Sequence, residues 1–93
     1  MILEFGCKET EKVWKGEKTR RWNEKVAKIA LRKLFMLHAA VNLHDLRIPP
    51  SNRLHPLKDD LKGYYSISIN MQWQIIFLWD DGNATAVRIV DYH

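Results

Sequence analysis

The last third of the chain, GYYSISINMQWQIIFLWDDGNATAVRIV at residues 63–90, decides the fold because its hydrophobic period is two. Apolar residues alternate with serine over residues 65–69, and residues 73–79 form a nearly continuous apolar run. The turn sequence DDGN at residues 80–83 separates that run from a further strand over residues 84–90. Parallel pairing would need longer connections, so the pattern predicts a three-stranded antiparallel meander.

The middle of the chain has the helical period instead. Apolar positions recur every three or four residues, which predicts a long helix over residues 19–41 with Asn42 as its stop. The positions that follow this spacing are Val26, Ile29, Ala30, Lys33, Leu34 and Leu37. The stripe predicts the face that packs on the sheet.

The N-terminal region completes the predicted architecture. A shorter helix is expected from Lys8 to Lys15, and the apolar segment at residues 1–5 is compatible with an edge strand. Helices followed by strands predict a single α+β domain over residues 1–93, with N-terminal helices packed on an antiparallel β-sheet.

Composition excludes several classes of protein. The 93 residues are 46% hydrophobic and 28% charged, which is typical of a globular domain and not of a disordered or collagen-like chain. The apolar run at residues 75–79 is too short to cross a bilayer, and the N-terminus has no signal-peptide pattern. The single cysteine, Cys7, has no internal disulfide partner, so we expect a cytoplasmic protein.

The net charge of +4 is unevenly distributed. Residues 1–62 hold fourteen of the fifteen Lys and Arg, whereas residues 63–93 hold only Arg88 against three aspartates. A polyanion would therefore meet the first two-thirds of the chain. Lys25, Lys28 and Arg32 on the long helix are candidate RNA-binding residues, and the alternative is that they form an ordinary solvated helix face.

Five motifs in order carry a family resemblance: RIPPSNRLHPLK at residues 47–58, GYYSI at 63–67, WQIIF at 73–77, DGNA at 81–84 and VDYH at 90–93. Together they resemble the HigB branch of the RelE/ParE superfamily of bacterial toxins, the killer proteins of plasmid maintenance systems. The resemblance covers most of the chain and is strongest from Asp45 to the end.

The resemblance implies both an activity and partners. It implies a RelE-like fold and a toxin of a type II toxin–antitoxin module that cleaves translated mRNA in the ribosomal A site and so inhibits translation. The partners it implies are a HigA-like helix-turn-helix antitoxin, the ribosome with its 16S rRNA, and mRNA. Operator DNA would be bound only through the antitoxin, and neither a cofactor nor a membrane is implied.

Residue types fit the implied chemistry. In metal-free RNA cleavage the 2′-hydroxyl attacks the adjacent phosphate, which needs a base, an acid and positive charge. The resemblance assigns functional positions to His55, Asp91, Tyr92 and His93, with Lys58 supplying charge. Which histidine is the base and which the acid stays open.

Each of these positions also has an ordinary structural interpretation. His55 would be a loop histidine with a structural hydrogen bond, Tyr92 an amphipathic residue at the sheet edge, and Asp91 a cap at the strand end. His93, as a terminal residue, would be frayed.

Gln74 departs from the family pattern, in which an arginine commonly follows the tryptophan of this strand. A neutral amide replaces a charged contact to phosphate poorly. Gln74 and Arg53 are both candidate RNA-binding residues. Because Gln74 brings no charge to the phosphate, we hypothesise that the nuclease is weakened. Arg88 would compensate only if strand register brings it to the face of Gln74. The alternative function is a catalytically weakened or inactive RelE/ParE-fold binding module that engages an antitoxin or another target.

Other chemistries have little support. The four histidines and Cys7 do not have zinc-ligand spacing, and no glycine-rich phosphate loop or nucleophile elbow occurs. A helix-turn-helix DNA-binding domain would need helices where the chain has strand periodicity.

Overall fold

The computed structural model describes residues 1–92 and has two helices packed on a four-stranded antiparallel sheet. The helices are α1 (Lys8–Trp14) and α2 (Glu24–Ala39). The strands are β1 (His55–Pro56), β2 (Tyr64–Ser68), β3 (Trp73–Asp80) and β4 (Asn83–Asp91), in the spatial order β1-β2-β3-β4. The prediction of an α+β fold is confirmed, and short 3₁₀ helices at Leu43–Arg47, Pro50–Asn52 and Asp59–Leu61 fill the connections.

The long helix is shorter than predicted at both ends. It begins at Glu24 because the Asn23 side chain caps it by accepting from the backbone N–H of Val26 at 2.8 Å. It ends at Ala39, and Asn42 caps the following 3₁₀ helix with Asp45 in a capping box. The predicted boundaries at residues 19 and 41 were therefore wrong, since a local cap outweighed the hydrophobic period.

The sheet contains one strand that the sequence pattern missed. β1 has only two residues, one of them a proline, and pairs with β2 so that His55 lies opposite Ser66. The expected N-terminal edge strand is only partly formed, because Ile2 and Phe5 make isolated parallel bridges to Ala84 and Val87 of β4. A cis peptide bond joins Ile48 to Pro49 in the segment that leads to β1.

The two faces of the sheet differ in composition. On the helix face, Ile67, Ile75, Phe77 and Ile89 pack with Ala30, Leu34 and Leu37 of α2 in one buried cluster. This confirms the apolar stripe predicted for the long helix. The other face, which we call the polar face, is formed by Ser66, Ser68, Gln74, Ile76, Arg88 and Val90, which strand register places side by side.

Candidate active site

Strand register places the candidate base and a positive charge in one row of the polar face. His55 pairs with Ser66, Ser66 with Ile76, and Ile76 with Arg88. Residues directly opposite each other in antiparallel strands point to the same side of the sheet. The row His55–Ser66–Ile76–Arg88 therefore crosses all four strands, with the exposed imidazole at one edge and the half-buried guanidinium at the other.

A β-bulge in β4 determines which way Arg88 points. Leu78 pairs with Thr85, but Ile76 pairs with Arg88, so two residues of β4 lie opposite Phe77 alone. Ala86, one of the two, has the left-handed backbone φ of 51°. Because the extra residue shifts the register by one, Arg88 shares the polar face with Gln74. The register thus meets the condition under which Arg88 would compensate for the missing charge at Gln74.

The bulge is supported from outside the sheet by the N-terminal segment. Gly6 N–H donates to the carbonyl of Val87 at 2.9 Å, and Val87 N–H donates to Glu4 at 3.3 Å. A Cβ atom at Gly6 would lie 3.2 Å from the carbonyl oxygen of Ala86, so a glycine permits this close approach.

The hydrogen bond of His55 defines its tautomer. Its Nδ1 lies 2.7 Å from the carbonyl oxygen of Arg53. A carbonyl oxygen only accepts, so Nδ1 carries the proton and Nε2 of the neutral ring is the atom that can accept one. The structural hydrogen bond expected of an ordinary loop histidine is thus present, and it leaves Nε2 as the ring atom without a proton.

Gln74 is 7% exposed and hydrogen-bonded within the polar face. The hydroxyl of Ser66, which is fully buried, donates to Gln74 Oε1. This contact leaves the two N–H donors of the amide for another partner. Ser66 was not predictable as a site residue, because its signal in the sequence is an alternating serine of β2 and Ser68 has the same signal.

Asp91 and Tyr92 lie at the C-terminal end of β4, beside the start of β3. Tyr92 N–H donates to the carbonyl of Gln72 at 2.9 Å, and the Tyr92 hydroxyl is buried without a hydrogen-bond partner among the described residues. Asp91 accepts a hydrogen bond from the Gln72 side chain at 3.3 Å and pairs with Trp73. By this register Asp91 belongs to the helix face and does not share the face of His55. The predicted site residue His93 lies outside the described residues.

The remaining candidates are exposed cations in two regions. Arg53 and Lys58 flank β1, so they lie near His55 along the chain. Lys25, Lys28 and Arg32 are exposed on α2, in the helical layer, and the structure does not bring them to the polar face. Lys28 instead lines a groove of about 550 Å³ beside Trp22, and His55 takes no part in that groove.

Two further observations concern metal sites and membrane spans. Within residues 1–92 no group of three or more His, Cys, Asp and Glu is arranged to hold a metal ion. In the same part of the chain neither helix has the length and apolar character needed to cross a bilayer.

Comparison with known proteins identifies relatives along almost the whole chain. Residues 3–93 match the family model described as HigB-like toxin, the RelE-like toxin of type II toxin–antitoxin system HigB. Toxin HigB-1 of Vibrio cholerae serotype O1 is 45% identical over 85 residues, which cover 90% of both chains. Endoribonuclease HigB of Proteus vulgaris is 44% identical over 41 residues, which cover 44% of this chain and 45% of that protein.

Solved structures show the same fold at low sequence identity. A YafQ mutant from E. coli superposes with a TM-score of 0.65 at 19% identity, covering 99% of this chain and 92% of the other. The solution structure of a conserved hypothetical protein from Helicobacter pylori gives a TM-score of 0.57 at 15% identity, with 99% and 96% covered.

Proposed function

The chain belongs to the HigB-like family of RelE-like toxins of type II toxin–antitoxin systems, and on this premise we propose that it cleaves mRNA by metal-independent transesterification in the ribosomal A site. Family membership makes the chain an endoribonuclease toxin with an antitoxin partner. The observation that supports the site is the row that carries His55 and Arg88 on one face of the sheet.

His55 acts as the general base in this proposal. Its Nδ1 proton is held by the Arg53 carbonyl, so Nε2 accepts the proton of the ribose 2′-hydroxyl. The 2′-oxygen then forms a bond to the neighbouring phosphorus while the bond from phosphorus to the 5′-oxygen breaks. The products are a 2′,3′-cyclic phosphate and a free 5′-hydroxyl.

The charge that develops on the phosphate is stabilised by Arg88, Gln74 and Lys58. Arg88 is the one Lys or Arg of residues 63–93, and it lies on the polar face together with the amide N–H groups of Gln74, which the Ser66 contact does not use. Placed donors of this kind stabilise a transition state more than the ground state. The presence of Arg88 on this face supports an active enzyme, so the loss of charge at position 74 is partly compensated.

The leaving 5′-oxygen needs an acid. We assign this role to His93, with Tyr92 stacking on a base or bonding the phosphate, because the resemblance places both residues at functional positions. Asp91, which precedes them, orients this terminal segment through its contact with Gln72. Deletion of His93 alone should abolish growth arrest and preserve the fold; growth arrest by the shortened protein would exclude this role.

The proposed partners are those that membership of the family implies. The proposed antitoxin is a HigA-like helix-turn-helix protein, through which operator DNA is bound. The ribosome is the site of action in the cytoplasm. Lys25, Lys28 and Arg32 point away from the polar face, so they are free to bind 16S rRNA while that face, with Arg53 at its edge, receives mRNA.

The test is cleavage of a defined mRNA during translation by the purified protein, with and without ribosomes. We expect new 5′-hydroxyl ends only with ribosomes, and His55→Ala should lower the cleavage rate about 100-fold because a general base typically contributes that much or more. His44→Ala, a change at an exposed histidine of the 3₁₀ helix Leu43–Arg47, is the matched control. No cleavage by the wild type with ribosomes would exclude the enzyme and favour the binding module. New 5′-phosphate ends would exclude transesterification.

A further inference from the structure

Lys33 is a buried cation in the middle of α2. Its side chain is 4% exposed although it occupies a position of the apolar stripe. Among the described residues its ammonium makes no ion pair; it donates a hydrogen bond to Oδ1 of Asn52 at 2.5 Å. Burying a charged group is costly unless it is well bonded, so a lysine at this position needs a reason other than packing.

Asn52 is fully buried, and all of its side-chain polar groups are used. A lysine ammonium only donates, so Oδ1 must face Lys33 and the amide N–H₂ must face acceptors. These acceptors are the carbonyl oxygens of Leu46 at 3.1 Å and Ile48 at 3.5 Å. One amide therefore attaches the segment before β1 to α2.

Arg53, the residue after Asn52, is hydrogen-bonded to the ring of His55. Arg53 has the left-handed φ of 49°, and its N–H donates to the Pro50 carbonyl at 3.0 Å, which closes the 3₁₀ turn around Asn52. The carbonyl of Arg53 then accepts from Nδ1 of His55 at 2.7 Å. A continuous set of contacts thus runs from Lys33 through Asn52 and Arg53 to the imidazole ring.

We propose that Lys33 and Asn52 are positioning residues that keep the Arg53 carbonyl on His55 Nδ1 and so leave Nε2 available as the base. This role rests on the proposed function of His55. Neither residue touches the RNA. Their effect is on the tautomer and direction of the ring, and a small displacement of a catalytic group lowers the rate strongly.

Two substitutions separate positioning from simple stabilisation. Lys33→Met keeps an unbranched, flexible side chain that is one atom shorter and removes the donor. Asn52→Asp keeps an acceptor for Lys33, and even provides it with a counter-charge, but removes the N–H groups bonded to Leu46 and Ile48. We expect both variants to lower kcat about tenfold with KM unchanged. If Asn52 only serves to pair the cation, Asn52→Asp would retain the kcat of the wild type.

The control substitution is Lys8→Met, at an exposed lysine in the first turn of α1. It removes one positive charge, as Lys33→Met does, and should leave kcat unchanged. Lys33→Gln restores an N–H donor on a shorter side chain, so we expect it to recover part of the lost rate. If Lys33→Met does not fold, Lys33→Gln still tests the role of the donor. Circular dichroism of each variant verifies the fold.

The ring itself provides a readout that does not depend on activity. Two-bond ¹⁵N–¹H correlation spectra of the neutral form should show His55 as the Nδ1–H tautomer in the wild type, and as a mixture with the Nε2–H tautomer in Lys33→Met and Asn52→Asp. Wild-type kcat together with an unchanged tautomer in folded variants would overturn the positioning role. Absence of RNA cleavage by the wild type would instead overturn the proposed function, whatever the tautomer.

Discussion

The two faces of the sheet are made by the same three long strands, yet they are stabilised in different ways. On the helix face, Ile67, Ile75 and Phe77 are fully buried against α2 in a continuous apolar cluster. On the polar face, Ser66 and Gln74 are also buried, but they are hydrogen-bonded to each other. Apolar packing is non-directional and tolerates repacking, whereas buried polar groups require particular partners.

The comparison shows that the chemistry of the polar face depends on register more than on burial. Because side chains alternate between faces, a shift by one residue exchanges the two sets completely. The bulge at Ala86 makes one such shift between the start and the end of β4, so every residue of β4 after the bulge, Arg88 included, changes face.

Insertion of one alanine after Ala86 is the change that should break this comparison most strongly. If the bulge keeps one extra residue, Val87 would then pair with Ile76, and Arg88 would pair with Ile75 and enter the helix face as an unpaired buried charge, which costs about 3 to 5 kcal/mol. Urea unfolding should show the loss. The control is Ala86→Gly, which keeps the bulge and relieves the left-handed strain, so its stability should be equal to or up to about 1 kcal/mol above that of the wild type. An insertion variant as stable as the wild type would contradict this assignment of the bulge.

Arg88→Met should separate activity from stability. We expect cleavage in the presence of ribosomes to fall about 100-fold, since a placed cation at the reacting phosphate is lost. The unfolding midpoint in urea should stay close to that of the wild type, because the half-buried Arg88 is not part of the apolar cluster. Phe77→Leu, within that cluster, should show the opposite pattern. Equal cleavage by Arg88→Met would remove Arg88 from the site.

Gln74→Arg tests the hypothesis of a weakened nuclease. A second cation on the polar face should increase the cleavage rate about fivefold, which corresponds to about 1 kcal/mol of transition-state stabilisation. The increase is limited because Arg88 already lies on this face. Gln74→Met controls for the loss of the Ser66 contact and should not accelerate cleavage. Equal or slower cleavage by Gln74→Arg would count against the hypothesis.

The pH dependence of stability gives the smallest expected effect. Burial, followed by the nearby charge of Arg32, lowers the pKa of Lys33 below its ordinary value of 10.5. The unfolded chain therefore binds more protons than the folded one between the lowered pKa and the ordinary value, and stability rises with pH through that window. Urea midpoints measured from pH 7 upward should increase more for the wild type than for Lys33→Met. Parallel curves would show that Lys33 is not buried in solution.

The hydrophobic period predicted most of the framework. Alternation at residues 65–69, the apolar run at 73–79 and the turn at 80–83 correspond to β2, β3 and the β3–β4 turn. These features are local or nearly local in sequence, so residue types alone specify them.

Features that depend on one specific hydrogen bond were not predictable in the same way. The helix start at Glu24 follows from the Asn23 cap, and β1 has only two residues, which is too short to show a period. The burial of Lys33 had a signal, a lysine on an apolar stripe, but its partner Asn52 lies 19 residues away and only the fold brings them together.

The sequence by itself determined the α+β class, the order of elements and the family, because period, turn chemistry and motif order are properties of the chain. Only the tertiary structure decided which candidates share a face of the sheet. It placed His55 and Arg88 in one row, assigned the proton of His55 to Nδ1, and left Lys25, Lys28 and Arg32 in the helical layer. The physical reason is that register and long-range hydrogen bonds arise from pairings between distant segments, and one bulged residue is enough to move a side chain from one face of a sheet to the other.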